Sequence, residues 1–198
     1  MQEKPFSQAC ENNKIPILTV LKRIFAQAKH VLEIGSGTGQ HASYFAQHLP
    51  HLRWTPSDRP DNHPGIDAWQ RAYSGSNLAA VKTFDIRYDP WPEPGADAVF
   101  SANTAHIMPW PVTQLMLEKT ADHLPKQGLF ALYGPFNYQG KYTSESNAHF
   151  DQWLKQSNSE QGIRDFEAID TLANNKHLSL LEDNPMPANN RLLVWQKR

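Results

Sequence analysis

The segment Val31-Leu32-Glu33-Ile34-Gly35-Ser36-Gly37-Thr38-Gly39 constrains this chain most, because an apolar run ending in an acid and three alternate glycines can be little other than a strand turning into a ligand-binding helix. Glycine at alternate positions lets the backbone turn sharply and lets a ligand lie against bare peptide. The amides that open the next helix then face that ligand.

The pattern is E-x-G-x-G-x-G. In the dinucleotide fingerprint G-x-G-x-x-G, counting from Gly35, the third glycine would stand where this chain has Gln40. The departure argues against NAD and for S-adenosylmethionine as the cofactor. The flanks have the required context. His30 to Ile34 is short and apolar like a buried parallel strand, and Ala42, Phe45 and Leu49 recur at helical spacing until Pro50. A second strand, Leu52 to Thr55, leads to Asp58, about 20 residues past the turn, where an acid is expected to grip ribose hydroxyls. An ordinary crossover with a surface aspartate is the alternative.

Together these residues resemble the class I S-adenosylmethionine-dependent methyltransferases over nearly the whole chain. The order of elements matches: strands at His30 to Ile34, Leu52 to Thr55, Ala80 to Phe84, Ala96 to Ser101 and Leu129 to Tyr133. Leu178 to Glu182 and Arg191 to Gln196 then read as a closing antiparallel hairpin, with Asp183 to Asn190 as its loop. The implied fold is α/β, a doubly wound, Rossmann-like sheet of seven mostly parallel strands with helices on both faces. More narrowly, Pro5-Phe6-Ser7-Gln8-Ala9-Cys10-Glu11-Asn12-Asn13-Lys14, Tyr133-Gly134-Pro135-Phe136, Ser146-Asn147 and Met186-Pro187-Ala188-Asn189-Asn190 resemble an uncharacterised methyltransferase-like family, formerly a domain of unknown function.

The resemblance implies a methyltransferase that uses S-adenosylmethionine, forms S-adenosylhomocysteine and acts by in-line transfer on a small-molecule acceptor. Glu33, Gly35, Ser36, Gly37 and Gly39 would line the cofactor. Asp85 would accept from the adenine amino group, with the Ile86 amide serving a ring nitrogen, and Asn103 would meet the methionine part. An aspartate that merely shapes a turn is the alternative for Asp85. His106 is the histidine that the fold brings near the methyl group. With a reference pKa near 6.5 it can take a proton from an attacking hydroxyl or amine, and a hydrogen-bonded loop histidine is the alternative. Asn12, Asn13, Tyr133 and Asn189 are candidate substrate contacts, although the asparagines also suit helix caps and turns. Two other functions stay open: a non-catalytic module that holds the cofactor, and a nicotinamide-dependent reductase, which Gln40 and the hairpin disfavour.

Other features set expectations of their own. A length of 198 residues suits one domain, with residues 1 to 29 as a cap segment and helix and 30 to 198 as the sheet core. Nineteen basic against twenty acidic residues, without a basic run, lacks the footprint of a nucleic-acid binder. No leader pattern opens the sequence and no apolar run approaches about 20 residues, so the expectation is a cytoplasmic protein with no membrane partner. Nine histidines show no metal-ligand spacing, and the single cysteine, Cys10, suits a packed or surface thiol.

Local readings complete the picture. A first helix is expected within Lys14 to His30, with Pro16 in its first turn, and a short one around Trp69 to Tyr73, after a loop through Pro60 and Gly65. Phe84 to Gly95, with three prolines, should be a loop. Tyr133 to Tyr142 has the composition of a lid, and Phe150, Trp153 and Leu154 that of a buried helical stripe. Ile163 to Asn174 reads as the last crossover helix.

Overall fold

The structure is a computed structural model that describes residues 3–198; Met1 and Gln2 of the expected cap segment lie outside them. The chain divides into two compact units, one ending at Ser101 and the other beginning at Ala102.

The first unit is a parallel sheet with helices. Its strands are β1 (His30–Ile34), β2 (Arg53–Asp58), β3 (Lys82–Thr83) and β4 (Ala98–Ala102), in the order β3-β2-β1-β4. β1 is central and almost wholly buried, which is why Val31, Leu32 and Ile34 are apolar on both faces, with the acid Glu33 buried among them. Its helices are α1 (Gln8–Ile24), α2 (Gln40–His48) and α3 (His63–Ala72). Phe45 from α2, Trp54 from β2 and Phe100 from β4 meet with ring centroids 5.4 to 5.8 Å apart, forming an aromatic core under the glycine turn. Such pairs contribute about 0.5 to 1.5 kcal/mol each beyond their burial.

Besides β3, shorter than the expected Ala80 to Phe84, and β4, shifted from the expected Ala96 to Ser101, three boundaries differ from the sequence expectation for reasons of capping or proline. α1 begins at Gln8, because Ser7 caps it by accepting the Cys10 N–H, so Asn12 and Asn13 lie inside the helix and do not cap it. Pro16 is therefore interior, and not in the first turn. α3 opens at His63, with Pro64 in its first turn, where a missing N–H costs nothing. β2 runs through Pro56 to Asp58. The Trp54 N–H points to the β3 side, where it meets Asn77 O, so by alternation the absent N–H of Pro56 would point there too. β3 pairs only with Ser57 and Asp58, so the ladder loses no bond at Pro56.

The second unit holds α4 (Trp110–His123), β5 (Leu129–Asn137), α5 (Glu145–Ser157), β6 (Arg164–Asp165), α6 (Phe166–Asn175), β7 (Leu178–Met186) and β8 (Asn190–Lys197). β8 lies antiparallel between β5 and β7, which is the expected hairpin. The short β6, parallel to the end of β5, is an eighth strand beyond the seven expected. The expected loop from Asp183 to Asn190 is mostly strand. Pro185 is tolerated because β7 pairs on one side only, and the reversal is confined to Pro187–Asn189, with Ala188 and Asn189 both at φ 57°.

The expected lid is also mostly strand. β5 continues to Asn137, and only Gln139 and Gly140, both at positive φ, form a two-residue turn closed by Tyr138 and Lys141. On α5, Leu154 is buried but Trp153 is 59% exposed, so the expected apolar stripe does not hold at Trp153. No described helix is long and apolar enough to cross a membrane.

Candidate functional site

In the first unit the glycine turn joins β1 to α2. Gly35, Gly37 and Gly39 all have positive φ, at 74°, 55° and 84°. A Cβ on Gly39 would lie 2.7 Å from Ile66 Cα, so α3 packs directly against bare backbone there. Nothing described lies within 4 Å of a Cβ position on Gly37, which leaves an open peptide face. That bare cradle is what a nucleoside-bearing ligand needs.

Asp58, the last residue of β2 and 8% exposed, braces the turn. Its Oδ2 accepts the Gly37 N–H at 2.7 Å, and its Oδ1 accepts the Arg59 N–H at 2.7 Å and Asn62 Nδ2 at 2.9 Å. Three of the roughly four acceptor positions of a carboxylate are thus in use.

Beneath the turn, Glu33 is 2% exposed, and its Oε2 accepts from Ser36 Oγ and from Trp54 Nε1, each at 3.0 Å. Burial pushes its carboxyl up to about 7, against the two hydrogen bonds that favour the charged form, with the nearby Asp58 charge adding to the rise. Ser36 Oγ also accepts the Ser57 N–H at 3.1 Å, while Ser57 Oγ donates to Glu33 O at 2.7 Å. Neither Trp54 nor Ser57 was identifiable from the sequence, since a strand residue carries no local sign of its cross-strand partner.

Asp85 and Ile86 sit in the turn after β3, with Ile86 buried. The Asp85 carboxylate takes a fork from Arg87, Nε on Oδ1 at 3.0 Å and Nη2 on Oδ2 at 2.8 Å, together with the Arg87 N–H at 3.0 Å. These bonds hold it below the usual carboxylate range. Phe84 to Gly95 is irregular, as expected.

The N-terminal segment crosses this unit. Trp69 Nε1 donates to Pro5 O at 2.9 Å, the Ser7 N–H donates to Gln40 Oε1 at 2.9 Å, and Gln40 Nε2 donates to Glu11 at 3.0 Å. Asn12 is exposed and accepts from Gln8, whereas the buried Asn13 meets His41 Nε2 at 2.7 Å between α1 and α2. Burial pushes His41 down to about 4 and pushes the Cys10 thiol up. Cys10 is a half-buried thiol whose burial favours the protonated form.

In the second unit, Asn103 adopts φ 59° and its N–H bonds Tyr133 O at 2.9 Å. Tyr133 is buried in β5. Asn189 is exposed, and its carbonyl accepts from Asn147 Nδ2 at 3.3 Å. His106 is 5% exposed. Its ring packs edge-on against Phe150 at 5.3 Å and lies beside Gly134, where a Cβ would make ordinary contact with Nδ1 at 3.5 Å. Among the described residues its ring makes no hydrogen bond. Burial first, and then the Arg164 charge, lower it to about 4, so it is a neutral base near neutral pH.

With the parallel sheet, the glycine turn and the braced aspartate in view, the class of protein can be stated: the chain has the Rossmann-like fold of the class I methyltransferases. An O-methyltransferase family 2 protein from Planctomyces limnophilus, solved in complex with apigenin, superposes with a TM-score of 0.83 at 18% identity, over 96% of this chain and 58% of that one. Human N-acetylserotonin methyltransferase, solved in complex with S-adenosylmethionine, gives 0.78 at 16%, over 96% and 55%. The fatty-acid O-methyltransferase of Mycolicibacterium smegmatis is 30% identical over 108 residues, 53% of this chain and 38% of that protein. The chain thus spans between about two fifths and three fifths of these relatives. It belongs to the family described as "Protein of unknown function (DUF938)", whose model matches residues 4–197.

Proposed function

We propose that the chain is an S-adenosylmethionine-dependent methyltransferase acting on a small-molecule acceptor, and that residues 1 to 198 work as one domain. The observation that carries the reading is the Asp58 to Gly37 bond, which braces a turn of three left-handed glycines over an open peptide face. The relatives' methyltransferase names and the cofactor in the human structure support it.

Gly35, Ser36, Gly37 and Gly39 would form the wall against which the cofactor lies, with Glu33 fixing Ser36 from below. Asp58 would accept from the ribose hydroxyls at its remaining acceptor position, and one hydroxyl would replace the exchangeable Asn62 donor. Asp85 and the Ile86 amide would meet adenine, and Asn103 the methionine end. The bound cofactor supplies an activated methyl group; the protein's part is to orient the acceptor and exclude water. His106, neutral and without a hydrogen bond among the described residues, accepts the proton of an attacking hydroxyl. Of the candidate substrate contacts, Asn13 is committed to His41 and Tyr133 is buried, while Asn12 and Asn189 are exposed and would be the ones to meet the acceptor. The balanced charge of −1 favours a small acceptor over nucleic acid.

Calorimetry tests the cofactor: S-adenosylmethionine and S-adenosylhomocysteine should bind and NAD should not. Incubation with labelled S-adenosylmethionine and a size-fractionated cell extract tests the acceptor, and label should enter the low-mass fraction. Binding without transfer into any fraction would make the chain a cofactor-holding module, and transfer into polymer would overturn the acceptor class.

A further inference from the structure

The turn that carries His106 is held from outside by Thr113, whose Oγ1 donates to Ala105 O at 3.2 Å, and more extensively by one guanidinium. Arg164, in β6, donates from Nε to Ala105 O at 3.0 Å and from Nη2 to Met108 O, which brackets His106 on both sides along the chain. Nη2 also bonds Glu160 O at 2.9 Å, so one guanidinium ties the 105–108 turn to the 160–164 segment. The Gly162 N–H closes the same junction by donating to His106 O at 2.9 Å. Gly162 has φ 152°, and a Cβ there would stand 2.9 Å from Asp151 Oδ1. Asp151 is itself committed, through Oδ1 to the Ile163 N–H at 2.7 Å and through Oδ2 to Tyr142 Oη at 2.7 Å and Lys155 Nζ at 2.5 Å. The segment is therefore locked on both sides of Gly162.

We propose that Arg164 is a positioning residue for the reaction: its guanidinium fixes the 105–108 turn so that the His106 imidazole is presented in one orientation with its ring nitrogens left for the acceptor. This rests on the reading of His106 as the proton acceptor. Two observations favour it over simple loop packing. The ring is buried and makes no hydrogen bond among the described residues, so its orientation comes from the backbone that carries it and from Phe150. And all three guanidinium bonds go to backbone carbonyls, a planar fork that lysine cannot reproduce.

The charge matters as well as the geometry. Of the charged groups on the elements around His106, Arg164 on β6 is the one that acts on the ring, lowering it. Asp151 on α5 counters Arg164 and is spent on Lys155, Tyr142 and the Ile163 amide. Arg164 thus orders the turn through its hydrogen bonds, while its charge lowers the basicity of the ring.

The test needs no acceptor. In the full chain labelled with 13C,15N-histidine, the His106 signal is assigned by its loss in His106→Asn and followed from pH 3.5 to 8, while hydrogen exchange reads the Gly162 amide. In the parent protein His106 should titrate well below 6.5. Arg164→Met should raise that midpoint and speed Gly162 exchange at least about tenfold, equivalent to about 1.4 kcal/mol of lost protection. Arg164→Lys should leave the midpoint low, because the charge remains, yet still speed Gly162 exchange. If Arg164→Met does not fold, the lysine variant decides by exchange alone. An unmoved His106 midpoint in folded Arg164→Met, or unmoved Gly162 exchange in Arg164→Lys, would overturn the proposal. Failure of the parent to bind S-adenosylhomocysteine would instead remove the function reading and leave this titration intact.

Discussion

The Asp58 carboxylate accepts the Gly37 N–H at 2.7 Å, joining the end of β2 to the middle of the glycine turn across 21 residues. The residue proposed to hold ribose is therefore also the residue that shapes the cradle. Replacing Asp58 by alanine should remove charge-assisted bonds worth about 1.5 to 3 kcal/mol each. Calorimetry should show S-adenosylhomocysteine affinity lowered about tenfold or more. Full affinity in a folded variant would move the ribose contact elsewhere.

Asp85 is expected to matter less. Its carboxylate is already forked by the Arg87 guanidinium, and an adenine amino group would add a neutral donor only. In the same titration Asp85→Ala should lose less affinity than Asp58→Ala. The reverse ranking would remove the adenine assignment.

Glu33 makes stability depend on pH. A carboxyl raised from 4.5 to about 7 holds its proton in the folded state where the unfolded chain has released it. Stability should therefore fall as pH rises from about 4.5 to 7 and level off above, by up to roughly 3 kcal/mol. Glu33→Gln keeps an oxygen able to accept from both Ser36 and Trp54, so it should abolish this slope and be the more stable protein at pH 8. Thermal melts of both proteins from pH 5 to 8 check this, and parallel curves would refute it.

Two of the three glycines of the turn, Gly37 and Gly39, separate strain from collision. Gly37→Ala meets no described neighbour, so it should cost about 1 kcal/mol for its left-handed backbone alone. Gly39→Ala adds a 2.7 Å clash with Ile66 Cα and should cost clearly more, about 3 kcal/mol. Urea denaturation of the pair gives the order directly.

His106→Asn should lower turnover on a hydroxyl acceptor by about 100-fold to 10,000-fold and leave S-adenosylhomocysteine affinity unchanged. Because the imidazole stays neutral down to about pH 4, the parent's rate should show no His106 limb between pH 6 and 8. Wild-type turnover in the variant would return His106 to a packing role.

The order of strands, the glycine turn and the closing hairpin were legible in the chain itself, because burial on both faces writes β1 as a mostly apolar run and left-handed turns demand glycine. Boundaries involving proline were not. Whether Pro56 or Pro185 ends a strand depends on whether a neighbour wants the missing N–H, and only the ladder decides that. The start of α1 likewise waits on whether the Ser7 hydroxyl reaches the Cys10 amide. At the site, Glu33 and Asp58 could be named from the turn chemistry, but their states could not. Trp54, Ser57 and Asn62 reach them from other positions in the fold, and desolvation, which raises Glu33 and lowers His106, exists only once the chain has closed around them. Asn13 shows the same division: a polar residue near the N-terminus reads as available for substrate until the packing of α1 on α2 brings His41 within 2.7 Å of it.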